Sequence, residues 1–452
     1  MNKMTPQEKL TRLSTSPVGR LMWEYSLPAV VGMLVMALYN IVDRIFIGQY
    51  EGVQALAGLT ITFPLMNLAT AVGVLVGVGA SSRVSIALGA NNTDEANMLL
   101  GNAASLTIIN AGIYILGFAI FMDPLLLAFG ADQTTLQYAR SYMMPVLPGL
   151  LLTNFAFSLN NVMRASGYPG RAMATMIIGA VINVVLDPFF ISLWGITGAA
   201  LATDIAMAAS AVFVGRHFCG KQPVVRFMSR NFRLHWRAFV AIISIGAAPA
   251  IVNAAASGIN AIVNKTLASY GTHYDLAAAG IFVTFTSLAV TIVLGICQGM
   301  QPVVGYNFGA NLYHRLRRAY WLAVGVATFI TTAATVVGLW IPEQVGHLFT
   351  TDPALAPHVA AALRGAMWAF PLVGFQIIST TFFQSLGRAF ESIVVSFLRQ
   401  VIFLVPLLLI LPKYMGLNGV WTSFPLSDIA STLVTSILIY ITLRRLPTSK
   451  AK

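Results

Sequence analysis

Long apolar runs, separated by short polar segments, recur along the whole chain. Each run is about 20 residues long, enough for a helix to cross the roughly 30 Å hydrocarbon core of a bilayer. The runs are continuous and do not alternate in polarity, which excludes the strands of a transmembrane β-barrel. The pattern predicts an all-α integral membrane protein with twelve transmembrane helices, beginning near residues 22, 57, 100, 142, 172, 197, 238, 276, 319, 366, 393 and 419.

The polar punctuation of the first six runs returns in the last six. Gly79–Asn91 reads GASSRVSIALGAN and Gly299–Asn311 reads GMQPVVGYNFGAN, with the first glycine and the closing Gly-Ala-Asn in register. Pro28 likewise matches Pro249. Repeated halves in an apolar chain are typical of transporters built from two equivalent units. Because six runs precede the boundary, both halves face the membrane in the same orientation, and we expect two pseudo-symmetric six-helix bundles.

A basic, polar stretch separates the two halves and is predicted to link them. It is the most polar internal segment of the chain. Residues 220–237 include five Lys or Arg residues and no Asp or Glu. The predicted organisation is an N-terminal segment (1–20), a first lobe (21–219), the basic linker (220–237), a second lobe (238–443) and a C-terminal tail (444–452).

Composition and charge placement support a membrane location. Of the 452 residues, 57% are hydrophobic and 9% charged, too little polar surface for a water-soluble globule of this size. Residues 1–20 are too long and mixed for the start of a signal peptide, so the first run is expected to be retained.

The basic residues indicate the orientation of the chain in the membrane. The net charge is +12, from 27 Lys and Arg against 15 Asp and Glu. The basic residues cluster in alternate loops, and the opposite loops hold mostly acids. By the positive-inside rule, both termini are expected in the cytoplasm. We interpret the linker as a topology determinant with some contact to anionic lipids, and nucleic acid is not an expected partner.

Catalytic and metal-binding patterns are missing from the apolar runs. All six histidines fall in or beside predicted loops, so neither an intramembrane Ser-His pair nor a two-His metal site is available. The sequence also lacks the phosphate loop GxxxxGK[ST]. Cys219 and Cys297 occupy separate places in the predicted topology, which argues against a disulfide. We therefore expect neither an enzyme nor a bound cofactor.

Four polar residues of the first half are the strongest candidates for binding a coupling cation. Ionisable groups inside a bilayer are costly, which makes them functional candidates. Asn183 and Asp187 are one turn apart on the fifth predicted helix and share a face. Thr203, on the sixth helix, and Asp43, on the first, are expected at a similar depth in the outer half of the lobe. The predicted site for H⁺ or Na⁺ consists of Asp43, Asn183, Asp187 and Thr203.

Structural interpretations compete with that site. Asp43 could instead form an ion pair with Arg44 at the membrane interface, and the other three residues could form a hydrogen-bonded packing network. Asp204 and Asp428 are predicted to be structural. In the second half, Asn264 stands where the first half has Asp43, so carboxylate chemistry is expected mainly in the first lobe.

An adaptable apolar cavity is predicted beside the cation site. Methionine side chains fit differently shaped ligands, and aromatic faces attract cations. The predicted substrate-contacting residues are Met33, Met36, Tyr39, Asn40, Asn154 and Phe155.

The chain resembles the multidrug and toxic compound extrusion (MATE) family, and in particular its MepA-like bacterial branch. The resemblance covers essentially the whole sequence. It rests on the first-helix segment LPAVVGMLVMALYNIVDRIFIG, on Gly-Ala-Asn with its repeat, on Arg164–Gly167 (RASG) and on Asn183–Pro188 (NVVLDP). It implies the two-bundle MATE/MOP-type fold and a multi-pass location in the bacterial cytoplasmic (inner) membrane.

The resemblance also implies a mechanism. It implies alternating access, with cationic amphipathic drugs exported in exchange for inward H⁺ or Na⁺ bound at the four candidate residues. Small cationic organic compounds and membrane lipids are then the expected partners, without an obligate protein partner. The alternative is a flippase for a lipid-linked precursor, which would need inward cationic groups such as Arg140, Arg364 and Arg399.

Overall fold

The computed structural model describes residues 5–220, 223–349 and 354–447, and nearly all of them are helical. A short 3-10 turn, Ser229–Phe232, lies in the linker, and a π-helical segment, Leu398–Leu404, interrupts a helix of the second half. The helices in chain order are α1 (Pro6–Thr15), α2 (Val18–Gly89), α3 (Thr93–Ala128), α4 (Gln133–Ala165), α5 (Pro169–Cys219), α6 (Trp236–Tyr270), α7 (His273–Gly309), α8 (Tyr313–Trp340), α9 (Pro342–Phe349), α10 (Ala356–Ala366), α11 (Pro371–Ser385), α12 (Ala389–Phe397), α13 (Val405–Met415) and α14 (Leu417–Arg445).

The described residues contain the twelve predicted membrane segments. Ten segments are long and apolar enough to cross a membrane, and α10 with α11 forms an eleventh that is bent by 56°. The twelfth comes from α5, which Gly195 (φ 58°, ψ −141°) interrupts between two predicted helices. Gly416 separates α13 from α14 with nearly the same angles, φ 57° and ψ −136°. Glycine adopts positive φ without steric cost, so the repeated glycine explains the repeated break.

Helix α2 differs from the prediction. The sequence pattern placed a loop between the first and second membrane segments, but the structure runs both into one helix of 72 residues, Val18–Gly89. The two segments, Val18–Glu51 and Gly58–Gly89, remain distinguishable by length and polarity. The joining sequence contains no proline and several good helix formers, which explains why the backbone stays helical there.

A buried apolar core is shared between the two lobes. It includes Leu88 of the first lobe and Met300 and Phe382 of the second. Separate clusters lie inside each lobe, one around Leu65 and one around Trp421. The two lobes therefore pack against each other through this shared core.

The shared core lies next to the face that carries both ends of the described chain, called here the terminal face. Arg315 and Arg317 occupy the start of α8 on this face. Arg315 donates to the carbonyl oxygen of Leu13 (3.3 Å). Arg317 donates to the carbonyl oxygens of Leu443 (2.7 Å) and Leu446 (2.9 Å). Helix α8 thus contacts α1 and the C-terminal end of α14, at the two ends of the described chain.

Glycines bring the two lobes into backbone contact near the terminal face. A Cβ atom at Gly89 of α2 would collide with the carbonyl oxygen of Tyr306 in α7. A Cβ atom at Gly309 of α7 would collide with the carbonyl oxygen of Ile86 in α2. Small residues let membrane helices approach this closely. Because both glycines belong to the repeated Gly-Ala-Asn segment, each copy of the repeat packs on the other.

Helix α1 bridges the two lobes on the terminal face. On the second-lobe side, the Asn307 amide donates to the carbonyl oxygen of Leu13 (3.2 Å). On the first-lobe side, the Lys9 ammonium lies 3.8 Å from the centroid of the Tyr168 ring. The side chain of Leu13 is fully buried in the shared core. The N-terminal segment is therefore part of the contact between the lobes.

Candidate functional site

Three of the four predicted cation-site residues are joined by hydrogen bonds in the first lobe. The Asn183 amide nitrogen donates to Asp187 Oδ1 (3.1 Å) and to Thr203 Oγ1 (3.2 Å). Along an uninterrupted helix, 20 residues would separate Asn183 from Thr203 by about 30 Å. The break at Gly195 turns the chain back and places the hydroxyl next to the amide.

Asp43 belongs to the same region of the lobe. Its side chain is buried, with the residue 8% exposed, and it interacts electrostatically with Asp187. The competing interpretation, an ion pair between Asp43 and Arg44, is not formed among the described residues. The Arg44 guanidinium instead lies 5.2 Å from the centroid of the Phe63 ring.

The cluster contains buried oxygen atoms that lack a hydrogen-bond partner among the described residues. These atoms are Asp43 Oδ1, Asn183 Oδ1 and Asp187 Oδ2. A buried polar atom without a partner is costly, typically by about 1–3 kcal/mol. A proton or a small cation that binds oxygen would remove that cost. The arrangement can therefore take up positive charge.

Tyr142 of α4 completes the region and was missed by the sequence analysis. This side chain is buried and interacts electrostatically with Asp43, Asp187 and Asp204. Asp204 itself lies against Gly149 of α4, where a Cβ atom would collide with its carboxylate. The only available signal for Tyr142 was a polar aromatic tip in an apolar helix, which many membrane helices share.

The six predicted substrate-contacting residues do not line one cavity. A cavity of about 70 Å³ is lined by residues of the first lobe and by Gln298 of the second, and of the six only Met36 lines it. The other lining groups include residues that were not predicted, among them Met176, Met207, Arg164 and Gln298. The set of predicted residues is therefore incomplete with respect to the cavity.

The other five predicted residues are not part of the cavity lining, and Met33 lies beside it. Gln298 donates to the Met33 sulfur (3.3 Å), which places Met33 beside the cavity. Asn40 is exposed and donates to the carbonyl oxygen of Met36 (2.7 Å), and Tyr39 interacts electrostatically with Asp43.

Asn154 and Phe155 point to different neighbours. The Asn154 side chain is buried against Gly73 of α2. Phe155 packs on the shared apolar core, and its ring lies close to Gly215 of α5. Consecutive residues of a helix differ in direction by about 100°, so these two cannot face one ligand in the same way.

The sequence matches a known family in both lobes. A profile of the MatE family matches residues 28–189 and again residues 249–410. The chain belongs to the MatE family. The two matches confirm the internal repeat, since each covers most of one lobe, and they confirm the resemblance seen in the sequence. A MatE protein is a transporter rather than an enzyme.

Curated MatE relatives are similar over nearly their whole length. The multidrug export protein MepA of Staphylococcus aureus (strain NCTC 8325 / PS 47) is 28% identical over 445 residues, which cover 97% of either chain. An FAD transporter of Shewanella oneidensis is 26% identical over 427 residues, which cover 92% of this chain and 93% of that protein.

Solved structures confirm the fold. A MOP superfamily transporter from Pyrococcus furiosus Vc1 superposes with a TM-score of 0.91 at 24% sequence identity, covering 97% of this chain and 98% of the other. A MATE family multidrug resistance transporter in an outward-facing conformation gives a TM-score of 0.89 at 24% identity, covering 99% and 98%.

Proposed function

We propose that this MatE protein exports small cationic amphipathic compounds in exchange for H⁺ or Na⁺ by alternating access. One observation carries the proposal: hydrogen bonds join Asn183, Asp187 and Thr203 beside Asp43, and three buried oxygen atoms of this cluster have no hydrogen-bond partner among the described residues. Unpartnered oxygens in an apolar lobe bind a proton or a small cation favourably. The relatives named as multidrug export proteins support drugs as the exported substrate.

The second lobe supports placing cation exchange in the first. Among the buried carboxylates of the described residues, the two in the second lobe have cationic or imidazole partners. Asp428 accepts from Arg399 Nε (2.7 Å), and Asp275 lies 2.6 Å from His358 Nδ1. Within the same described residues, Asp43 and Asp187 form no ion pair. The carboxylates that remain available to a cation are therefore those of the first lobe.

Helix α2 offers a route from cation binding to the movement of the lobes. Asp43 lies in its first half, and Gly89, which contacts the second lobe, is its last residue. We propose that neutralising Asp43 changes the packing of α2 and thereby the contact between the lobes. The cation and a cationic drug both gain from the same negative charge, so each should weaken binding of the other. Binding of the cation therefore promotes release of the drug, and this exchange results in export.

The flippase alternative is less well supported. A lipid-linked pyrophosphate would need unpaired cationic groups in the cavity. The three arginines considered for that role each contact an acid: Arg140 with Asp123 (3.4 Å), Arg364 with Glu343 (3.8 Å) and Arg399 with Asp428 (2.7 Å). Their charge is already compensated, which favours the export of cations.

Reconstituted proteoliposomes test the proposal. A proton gradient and a sodium gradient are imposed separately, and uptake of a fluorescent lipophilic cation is measured, with FAD as a second compound because one relative transports it by name. We expect exchange of the cation with one of the gradients and a loss of at least roughly tenfold in Asp43→Asn and Asp187→Asn, since a buried ionisable group carries the coupling.

Asp123→Asn is the matched control. It makes the same chemical change at an exposed carboxylate outside the cluster and should transport like the wild type. Size-exclusion profiles establish that each variant is folded. Exchange at the wild-type rate in the Asp43→Asn, Asp187→Asn double variant would refute the cation site, and wild-type protein that responds to neither gradient would refute antiport.

A further inference from the structure

A large basic cavity at the terminal face has no role in the proposed transport cycle. It encloses about 1100 Å³ between the end of α2, the start of α3, the linker and the start of α6. Four arginines line it together with His235: Arg83, Arg230, Arg233 and Arg237. We infer that this cavity binds the phosphate headgroup of an anionic phospholipid.

The acids at the rim compensate only part of the arginine charge, because four arginines and two acids line the cavity. Asp94 lies 3.4 Å from Arg230, with both side chains largely exposed. Glu95 accepts from the side chain of Asn92 (2.9 Å) at the start of α3, and its backbone N–H is capped by the same residue. Glu95 attracts the Arg83 guanidinium electrostatically, but among the described residues neither acid forms an ion pair with Arg83, Arg233 or Arg237. The cavity therefore keeps a net positive charge.

Three of the four arginines have guanidinium groups available to an anion. No ion pair is seen for Arg83, Arg233 or Arg237 within the described part of the chain. The Nε atom of Arg83 is buried and lacks a hydrogen-bond partner there. The guanidinium group matches a phosphate with two parallel N–H donors. A phosphate in this cavity would supply the missing acceptor.

Helix α3 holds the linker wall of the cavity in place. Asn102 Oδ1 accepts from the backbone N–H of His235 (2.8 Å), and Asn102 Nδ2 donates to the carbonyl oxygen of Asn231 (3.2 Å). Asn97 Oδ1 accepts from the backbone N–H of Arg226 (2.8 Å). A wall held by buried amides costs little to order when a ligand arrives. The cavity is thus formed before binding.

Apolar side chains beside the cavity favour a lipid over a soluble anion. Met98, Leu99 and Ala238 form part of its lining. Trp236 is 75% exposed next to it, and its ring stacks on Phe239 with centroids 5.2 Å apart. Exposed tryptophan is typical of the membrane interface. Basic cavities between membrane helices on the cytoplasmic side are suited to anionic headgroups, and the terminal face is the expected cytoplasmic one.

The internal repeat shows that the fold does not require this cavity. Val303 stands where the first copy has Arg83, and the linker occurs once in the chain. Val303 is fully buried, so the equivalent position of the fold accepts a valine. Arg83→Val is therefore a substitution with a precedent inside the same protein.

Lipid titration of the full-length protein tests the inference. Purified protein is titrated with phosphatidylglycerol or phosphatidylcholine, and binding is measured by native mass spectrometry and by the shift in thermal unfolding. We expect phosphatidylglycerol to bind more tightly, and Arg83→Val, Arg233→Gln and Arg237→Gln each to weaken it roughly fivefold, because one arginine near an anionic surface contributes about that factor. Arg318→Gln, an exposed position on the same face outside the cavity, should bind like the wild type.

Several results would overturn the inference. Equal affinity for the two lipids would show that the cavity does not recognise a headgroup. So would unchanged phosphatidylglycerol affinity in the variant that combines Arg83→Val, Arg233→Gln and Arg237→Gln. If inorganic phosphate, added to protein with phosphatidylcholine, raised the thermal unfolding temperature as much as phosphatidylglycerol does, the cavity would be assigned to a soluble anion. Arg233 and Arg237 are exposed, so replacing both should not impair folding. If Arg83→Val fails to fold, the Arg233→Gln, Arg237→Gln double variant tests the inference in its place.

Discussion

Replacing Gly89 or Gly309 with alanine should weaken the contact between the lobes at the terminal face. Each added Cβ atom would meet a backbone carbonyl oxygen, that of Tyr306 or that of Ile86. A side chain could rotate away, but a carbonyl oxygen within a helix cannot move without its helix. Relief therefore requires α2 and α7 to move apart.

The size of the effect follows from the kind of contact. Overpacking a tight contact typically costs about 1–3 kcal/mol. Alanine favours the helical state over glycine by up to about 1 kcal/mol, so the helices themselves are not weakened. If the whole cost falls on the state in which the terminal face is closed, the ratio of closed to open protein changes by roughly 5–150-fold. Both substitutions together should have the larger effect.

Distances between spin labels measure this ratio. Labels at Asn92→Cys and His314→Cys lie on exposed positions of the two lobes, in a background with Cys219→Ser and Cys297→Ser. Double electron-electron resonance should show a larger population at long distances in each glycine variant than in the parent.

Gly325→Ala is the matched control for both variants. It lies in α8, where a Cβ atom would meet open space, and it should leave the distance distribution unchanged. An unchanged distribution in Gly89→Ala and Gly309→Ala would refute the reasoning. So would an equal shift in Gly325→Ala, because the effect would then not come from the contact between the lobes.

Further predictions concern two arginines of the second lobe. Asp428→Asn should lower the melting temperature measured in detergent, because it leaves the Arg399 guanidinium without its carboxylate, at a cost of about 3 kcal/mol or less. Adding Arg399→Gln should restore part of the loss, and equal melting temperatures of all three proteins would contradict a stabilising pair. Arg315→Gln should raise amide hydrogen exchange in α1 by roughly 10–150-fold, since it removes a charged donor to Leu13 worth about 1.5–3 kcal/mol; exchange as slow as in the wild type would show that α1 is held by other contacts.

The sequence predicted those parts of the structure that depend on periodicity and repetition. The twelve segments follow from apolar length, and the shared face of Asn183 and Asp187 follows from the helical period. The contact of Thr203 with Asn183 also needs the break at Gly195, whose repeat at Gly416 was visible in the sequence.

Contacts between helices that are distant in the chain could not be predicted in the same way. Asp428 is predicted to be structural, but its partner cannot be predicted, because nothing in the sequence indicates that the segment around Arg399 packs against α14. The predicted substrate-contacting residues differ from the cavity lining for another reason. Asn154 and Phe155 were grouped by residue type, although their adjacent positions already imply different directions.

The bridge formed by α1 sets an order for the assembly of the protein. Leu13 is hydrogen-bonded to Asn307 and Arg315, residues made 294 and 302 positions later. At a synthesis rate of about 5–20 residues per second, this interval lasts roughly 15–60 s. Helix α1 is thus synthesised long before the residues that hold it, and its docking marks the point at which both lobes are in place.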